Sequence, residues 1–278
     1  MFERFQRSWE LVKPSVGVLM TDKHLLVFPL LSGICMLMVF LTFLQPAISM
    51  GVLEAIAEKR PLPSAEAYAL LFLVYFLTYL AITFFNCALI GAAMIRFEGG
   101  EPTLADGFGI AIEKLPALFG FSFICAAVSV VLQALEERVA PLGRLVTGLI
   151  GLTWTVSSFL VIPVIIKRDV GPIDALKQSV EMLRYTWGEN LIGQLGFEMA
   201  TCAGCSVVTF AGLTVYMSGA IEMLTMILLI YAGLLLVFVS VTAVKAIYSA
   251  ALYRYATQGD AGEYFENDVL ARAFAGAP

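Results

Sequence analysis

Residues 67 to 95 read AYALLFLVYFLTYLAITFFNCALIGAAMI, twenty-nine positions without an Asp, Glu, Lys, Arg or His. About 20 apolar residues suffice for an α-helix to cross the hydrocarbon core of a bilayer, so this stretch is a membrane span with length to spare. Five more stretches read the same way: Leu25 to Leu53, Ala117 to Leu135, Leu145 to Ile166, Leu191 to Ile221 and Met223 to Val244. The helical pattern of the last continues to about Tyr255, and only the fifth carries a charge, Glu198. Composition agrees: mean hydropathy is +0.87 and 14% of residues are charged, against about 25% in a soluble domain. The expected fold class is therefore all-α, a polytopic membrane bundle of six transmembrane helices.

Basic residues orient it. Arg4, Arg7, Lys13 and Lys23 precede span 1; Arg96 and Lys114 follow span 2; Lys167, Arg168, Lys177 and Arg184 follow span 4; Lys245, Arg254 and Arg272 belong to the end of span 6 and the tail. The opposite side has only Lys59, Arg60, Arg138 and Arg144. Lys and Arg concentrate in cytoplasmic loops, which puts both termini in the cytoplasm and the protein in the cytoplasmic (inner) membrane. The opening segment, FERFQRSWELVKPSV (2 to 16), carries acidic residues and a Trp and lacks a short apolar core, so it is expected not to be a secretory signal.

That segment is instead an amphipathic helix, with Phe2, Phe5, Trp9, Val12 and Val16 on one stripe. It recurs. Phe5, Phe108 and Leu176 align, as do Trp9, Ile112 and Val180, then Ser8, Ala111 and Ser179, then Glu10, Glu113 and Glu181. Each copy precedes two spans, and spans 2, 4 and 6 exit through Arg96, Arg168 and Arg254, each followed by a Gly. The pattern predicts a single membrane domain over 1–259, built of three parallel hairpin repeats (about 1–100, 101–171 and 172–259), each led by a cytoplasmic amphipathic helix. Residues 260–278 form a cytoplasmic tail. Phe5, Trp9, Phe108, Leu176 and Trp187 are the candidate interfacial residues, suited to dip below the headgroups while Arg and Lys meet anionic lipid; the alternative, for which Glu10, Glu113 and Glu181 argue, is that these helices pack under the bundle as a cytoplasmic layer.

No catalytic set is visible. His24 is the sole histidine and lies at the mouth of span 1, so no multi-His metal site can be built. No span holds an Asp, and neither a phosphate-binding G-x-x-x-x-G-K-[ST] loop nor a G-x-S-x-G elbow occurs. The five cysteines fall in apolar runs and read as packing residues. Cys202 and Cys205 sit mid-span among Ala200, Ala203, Gly204 and Ser206, a composition for close helix contact rather than redox chemistry. No metal, cofactor or nucleic-acid partner is expected.

Glu198 is the sharpest residue, since a carboxylate costs roughly 2.5–3.5 kcal/mol at the centre of a span. Lys245 comes to comparable depth on the antiparallel sixth span, so Glu198 is expected to pair with Lys245, Gln194 or a neighbouring hydroxyl, with a proton or cation site as the functional alternative. Asn86, in span 2, is the third member of a candidate intramembrane polar site and is expected to bond between helices.

The stretches FERFQRSWELVKPS, DKHLLVFPLLSG and YRYATQGDAGEYFENDVLARAF resemble an uncharacterised prokaryotic family of six-span membrane proteins, a domain of unknown function. That resemblance implies six spans and cytoplasmic tails, and it transfers no activity or site residue. The leading expectation is a non-enzymatic scaffold or accessory subunit engaging lipid or a protein partner through its cytoplasmic helices and tail. The alternative is a small transporter or permease with a polar site near Glu198. A transporter should show a polar path lined by Asn86, Glu198 and hydroxyls such as Thr201 or Thr209; a scaffold should show a closed apolar bundle.

Overall fold

A computed structural model describes residues 15–58, 60–136, 141–183, 187–219 and 222–258, with side chains except at 141–146, 187–195 and 255. Phe5, Trp9, the tail 260–278 and the side chain of Trp187 lie outside the described residues. After a helical stretch at 15–21 and a 3-10 turn at Lys23–Leu26 come α1 (Val27–Ser49), α2 (Val52–Glu58), α3 (Ala65–Phe97), α4 (Leu104–Glu113) and α5 (Leu115–Glu136). Then follow α6 (Pro141–Ser157), α7 (Val161–Arg168), α8 (Pro172–Leu183), α9 (Trp187–Met217) and α10 (Met223–Gln258), with no strand among the described residues. Among the described residues six stretches are long and apolar enough to cross a membrane: Lys23–Ser49, Ala65–Phe97, Leu115–Glu136, Thr147–Arg168, Gly196–Met217 and Met223–Gln258. The protein is an all-α integral membrane protein.

α3 is the hub, packing against α1, α4, α5, α7 and α10. With 33 residues it is about 50 Å long at 1.5 Å per residue, well beyond a ~30 Å hydrocarbon core. Its C-terminal part is covered by protein: residues 87–94 are all buried, as are 246–253 of α10 and Val161 to Ile165 of α7. The core therefore fills one half of the bundle. In the other half large side chains such as Phe40, Phe210, Leu224 and Leu236 face outward, which suits a lipid-facing surface.

The packed half ends in ion pairs that gather Asp22, Arg96, Glu98, Lys114, Lys167 and Asp169 at what is here termed the basic end. Arg96 grips Asp22 through two bonds, Nε to Oδ2 at 2.5 Å and Nη2 to Oδ1 at 2.6 Å. The Asp22 side chain is 5% exposed and that of Arg96 18%. Lys167 reaches Glu98 at 2.5 Å, and Arg254 donates to the Phe97 carbonyl. Lys114 bridges Glu113 and Asp169, and these two partners hold its pKa above the usual lysine value. Asp169, at φ +46°, turns the chain out of α7, and Gly99, at φ +84°, turns it out of α3. His24 Nε2 meets the Pro102 carbonyl at 2.9 Å, pinning the start of span 1 to the turn before α4.

α4 begins in a capping box: Thr103 Oγ1 accepts from Asp106 N–H, and the Asp106 carboxylate accepts from the Thr103 hydroxyl and from Thr103 N–H, which together lower the Asp106 pKa. The helix lies against α3 closely enough that a Cβ on Gly107 would stand 2.6 Å from Phe28 Cζ and 2.8 Å from the Ala88 carbonyl oxygen. A backbone oxygen cannot rotate away. Gly107→Ala should therefore destabilise the protein by about 1–3 kcal/mol, as overpacking does, read as a lower midpoint of thermal unfolding in detergent. Phe108 packs edge-on to Phe28, with centroids 5.2 Å apart, and Leu176 of α8 also packs against the core. Of the two arrangements open to these helices, packing against the bundle is the one these two side chains adopt. Ala111 and Ser179 are fully buried, while the next positions, Ile112 and Val180, are 62% and 44% exposed. A half-apolar helix offers one buried stripe, held by Gly107 and Ala111 in α4 and by Ala175, Ser179 and Leu183 in α8, and the small residues permit close approach.

Candidate functional site

The expected unbroken fourth span is interrupted. α6 ends at Ser157 and α7 starts at Val161. Pro163 explains this: it has no N–H to give the Phe159 carbonyl, and its ring crowds that carbonyl. The backbone tightens there, with Phe159 N–H bonding Val156 O and Val161 N–H bonding Ser158 O. Ser179, from α8, enters the gap. Its Oγ donates to the Ser157 carbonyl at 2.6 Å and accepts the Leu160 N–H at 3.2 Å. Irregular backbone within a span is tolerated where protein or a cavity satisfies it; here both are present.

Beside the break lies a cavity of about 330 Å³. Three spans contribute to its wall in register: Thr83, Asn86 and Ile90 from α3; Thr155, Ser158 and Ile162 from the α6–α7 region; Thr242, Lys245 and Ser249 from α10. These form three layers. Ile90, Ile162 and Ser249 are at most 7% exposed and floor the cavity toward the basic end. Above them stand Asn86, Ser158 and Lys245, and above those the three threonines. Asn86 precedes Arg96, and Ser158 precedes Arg168, by ten residues each, so both stand inward from the basic end.

The polar groups are unevenly satisfied. Thr83 Oγ1 bonds Ser122 Oγ at 2.8 Å, and Thr155 Oγ1 donates to the Gly151 carbonyl at 3.0 Å. Tyr79, also in the wall, bonds Ser129 Oγ at 2.8 Å. Among the described residues Asn86 and Thr242 have no hydrogen-bond partner. Lys245 Nζ donates to Glu198 Oε1 at 3.1 Å, with the lysine side chain 29% exposed and the glutamate 66%. Glu198 lies outside the cavity wall and Lys245 in it. Thr201 and Thr209, expected on the path, bond their own helix at Phe197 O and Cys205 O and are not in the wall.

The α9–α10 hairpin explains that pairing. Gly204 faces Val237, Val208 faces Gly233 and Gly212 faces Ile230, at separations that leave no room for a Cβ on any of these glycines without a shift. The same antiparallel register brings residue 198 to residue 245. All five cysteines are free; Gly204, inside the C-x-x-C, makes a helix contact.

Thr83, Ser158 and Thr242 escape a reading based on charge alone. The available signal is T-x-x-[N, S or K] in each return span: Thr83-Phe-Phe-Asn86, Thr155-Val-Ser-Ser158 and Thr242-Ala-Val-Lys245, starting 13, 13 and 12 residues before Arg96, Arg168 and Arg254.

A family of unknown function, DUF6159, matches residues 65–264, and the chain belongs to it. No curated protein matches the sequence.

Proposed function

We propose that this is a non-enzymatic permease of the cytoplasmic membrane, with both termini cytoplasmic and a small solute bound between its return spans. The observation that carries this is the cavity beside the broken fourth span, walled by T-x-x-polar segments of spans 2, 4 and 6. Three parallel hairpins around an axis along the membrane normal would place those segments at one depth, as would suit a solute site near the midplane. α4 and α8 then serve as docked amphipathic helices, each folded back onto the span before it and stiffening the closed, basic end.

Proteoliposomes offered labelled small carboxylates, amines and sugars should take up at least one faster than protein-free vesicles. Asn86→Leu, which removes an amide bonded to no described residue, should cut that uptake at least tenfold with the protein still monodisperse. Absence of uptake for every solute would refute the permease.

A scaffold that engages lipid retains one supporting observation. A hollow of about 360 Å³ at the basic end is lined by Lys167, Arg168 and Arg254 with a single carboxylate, Glu98. Basic pockets between spans accept anionic headgroups, and enrichment of anionic lipid in the purified protein would support it.

A further inference from the structure

We infer that the solute is a small carboxylate with an apolar body, its anionic end held by Lys245. This rests on the cavity assigned above and adds the substrate class. The described wall contains one cation, Lys245, and no Asp or Glu. Lys245 spends one of three donors on Glu198, whose carboxylate stands outside the wall. Three further donors have no partner among the described residues: the Asn86 amide, the Thr242 hydroxyl and the Trp154 indole N–H, which can only donate. The wall is thus rich in donors around a single positive charge, and a hydrogen bond assisted by that charge is stronger than a neutral one. A carboxylate accepts several such bonds at once; an amine accepts none when charged and would meet Lys245 as a like charge. Ile82, Phe121 and Phe159 supply the apolar part of the wall, fitted to a hydrocarbon or aromatic body.

Benzoate, benzamide and benzylamine share a ring and differ in the group that would face Lys245. Calorimetry on the purified full-length protein in nanodiscs should show benzoate binding at least tenfold more tightly than the other two. Lys245→Met should abolish benzoate binding and Lys245→Arg should retain it. Glu198→Gln, which removes the competing carboxylate and leaves Lys245 in place, should strengthen benzoate binding or leave it unchanged, whereas a purely structural role for the pair predicts weakening. Equal or tighter binding of benzamide or benzylamine, no binding of any probe, or unaltered benzoate binding by a folded Lys245→Met protein would overturn the assignment. Benzoate binding without flux would sink the permease and leave the site's chemistry standing. Flux of an amine or sugar without benzoate binding would do the reverse.

Discussion

Asp22→Asn should lower the stability of the protein by about 3–5 kcal/mol, the range for removing one member of a buried ion pair. Arg96 gives both Nε and Nη2 to this carboxylate, and the pair is nearly withdrawn from solvent at 5% and 18% exposure. Asparagine keeps the shape and one acceptor, but removes the negative charge that faces the guanidinium. The pair also joins the start of span 1 to the end of span 2, residues 74 apart in sequence, so its loss should free the first hairpin at the basic end. Unfolding in detergent, followed by loss of monodispersity with temperature, would measure the effect. The double variant Asp22→Leu, Arg96→Met removes both charges and should recover much of the loss, because an apolar pair need not repay desolvation. If Asp22→Asn were as stable as the parent, the pair would be an ornament of the basic end rather than its clasp.

Ser179→Ala should cost about 1–3 kcal/mol for each backbone group it orphans. There are two, the Ser157 carbonyl and the Leu160 N–H, both served by one hydroxyl that is fully buried. Because those groups form the break beside the cavity, the variant should lose solute binding together with stability. Ser179→Thr keeps the hydroxyl and should fall between the parent and the alanine variant, limited by its extra methyl in a tight site. A stability loss with binding fully retained would show that the break shapes the helix but not the cavity.

Hydropathy made the six spans legible to within a few residues, since a bilayer demands long apolar runs and little else resembles them. The pairing of Glu198 with Lys245 was legible for a similar reason: an antiparallel hairpin fixes which depths coincide. Asp22 was harder to single out, because its importance depends on a contact with Arg96 that no local pattern encodes. The break at 158–160 was hidden inside a uniformly apolar run, although Pro163 was there to announce it. The threonine layer stayed unseen because a threonine costs little within a span, its hydroxyl returning to its own helix as Thr155 does to Gly151. Only comparison of the three return spans with one another, aligned on their exit arginines, brings it out. Phe108 and Leu176 illustrate the remaining gap: an apolar stripe states that a helix has a buried face, but not whether lipid or protein covers it.

The central claim is that a water-accessible solute site lies between spans 2, 4 and 6. Cysteine accessibility tests it most directly. In a protein with its five native cysteines replaced, single cysteines at Thr83, Thr155 and Thr242 would be exposed to a small, membrane-impermeant anionic methanethiosulfonate, with Phe210→Cys as the lipid-facing control. All three threonine positions should react, benzoate should protect them, and position 210 should remain unreacted. Three unreactive threonine positions in a folded protein would mean a dry, closed bundle and would contradict the account.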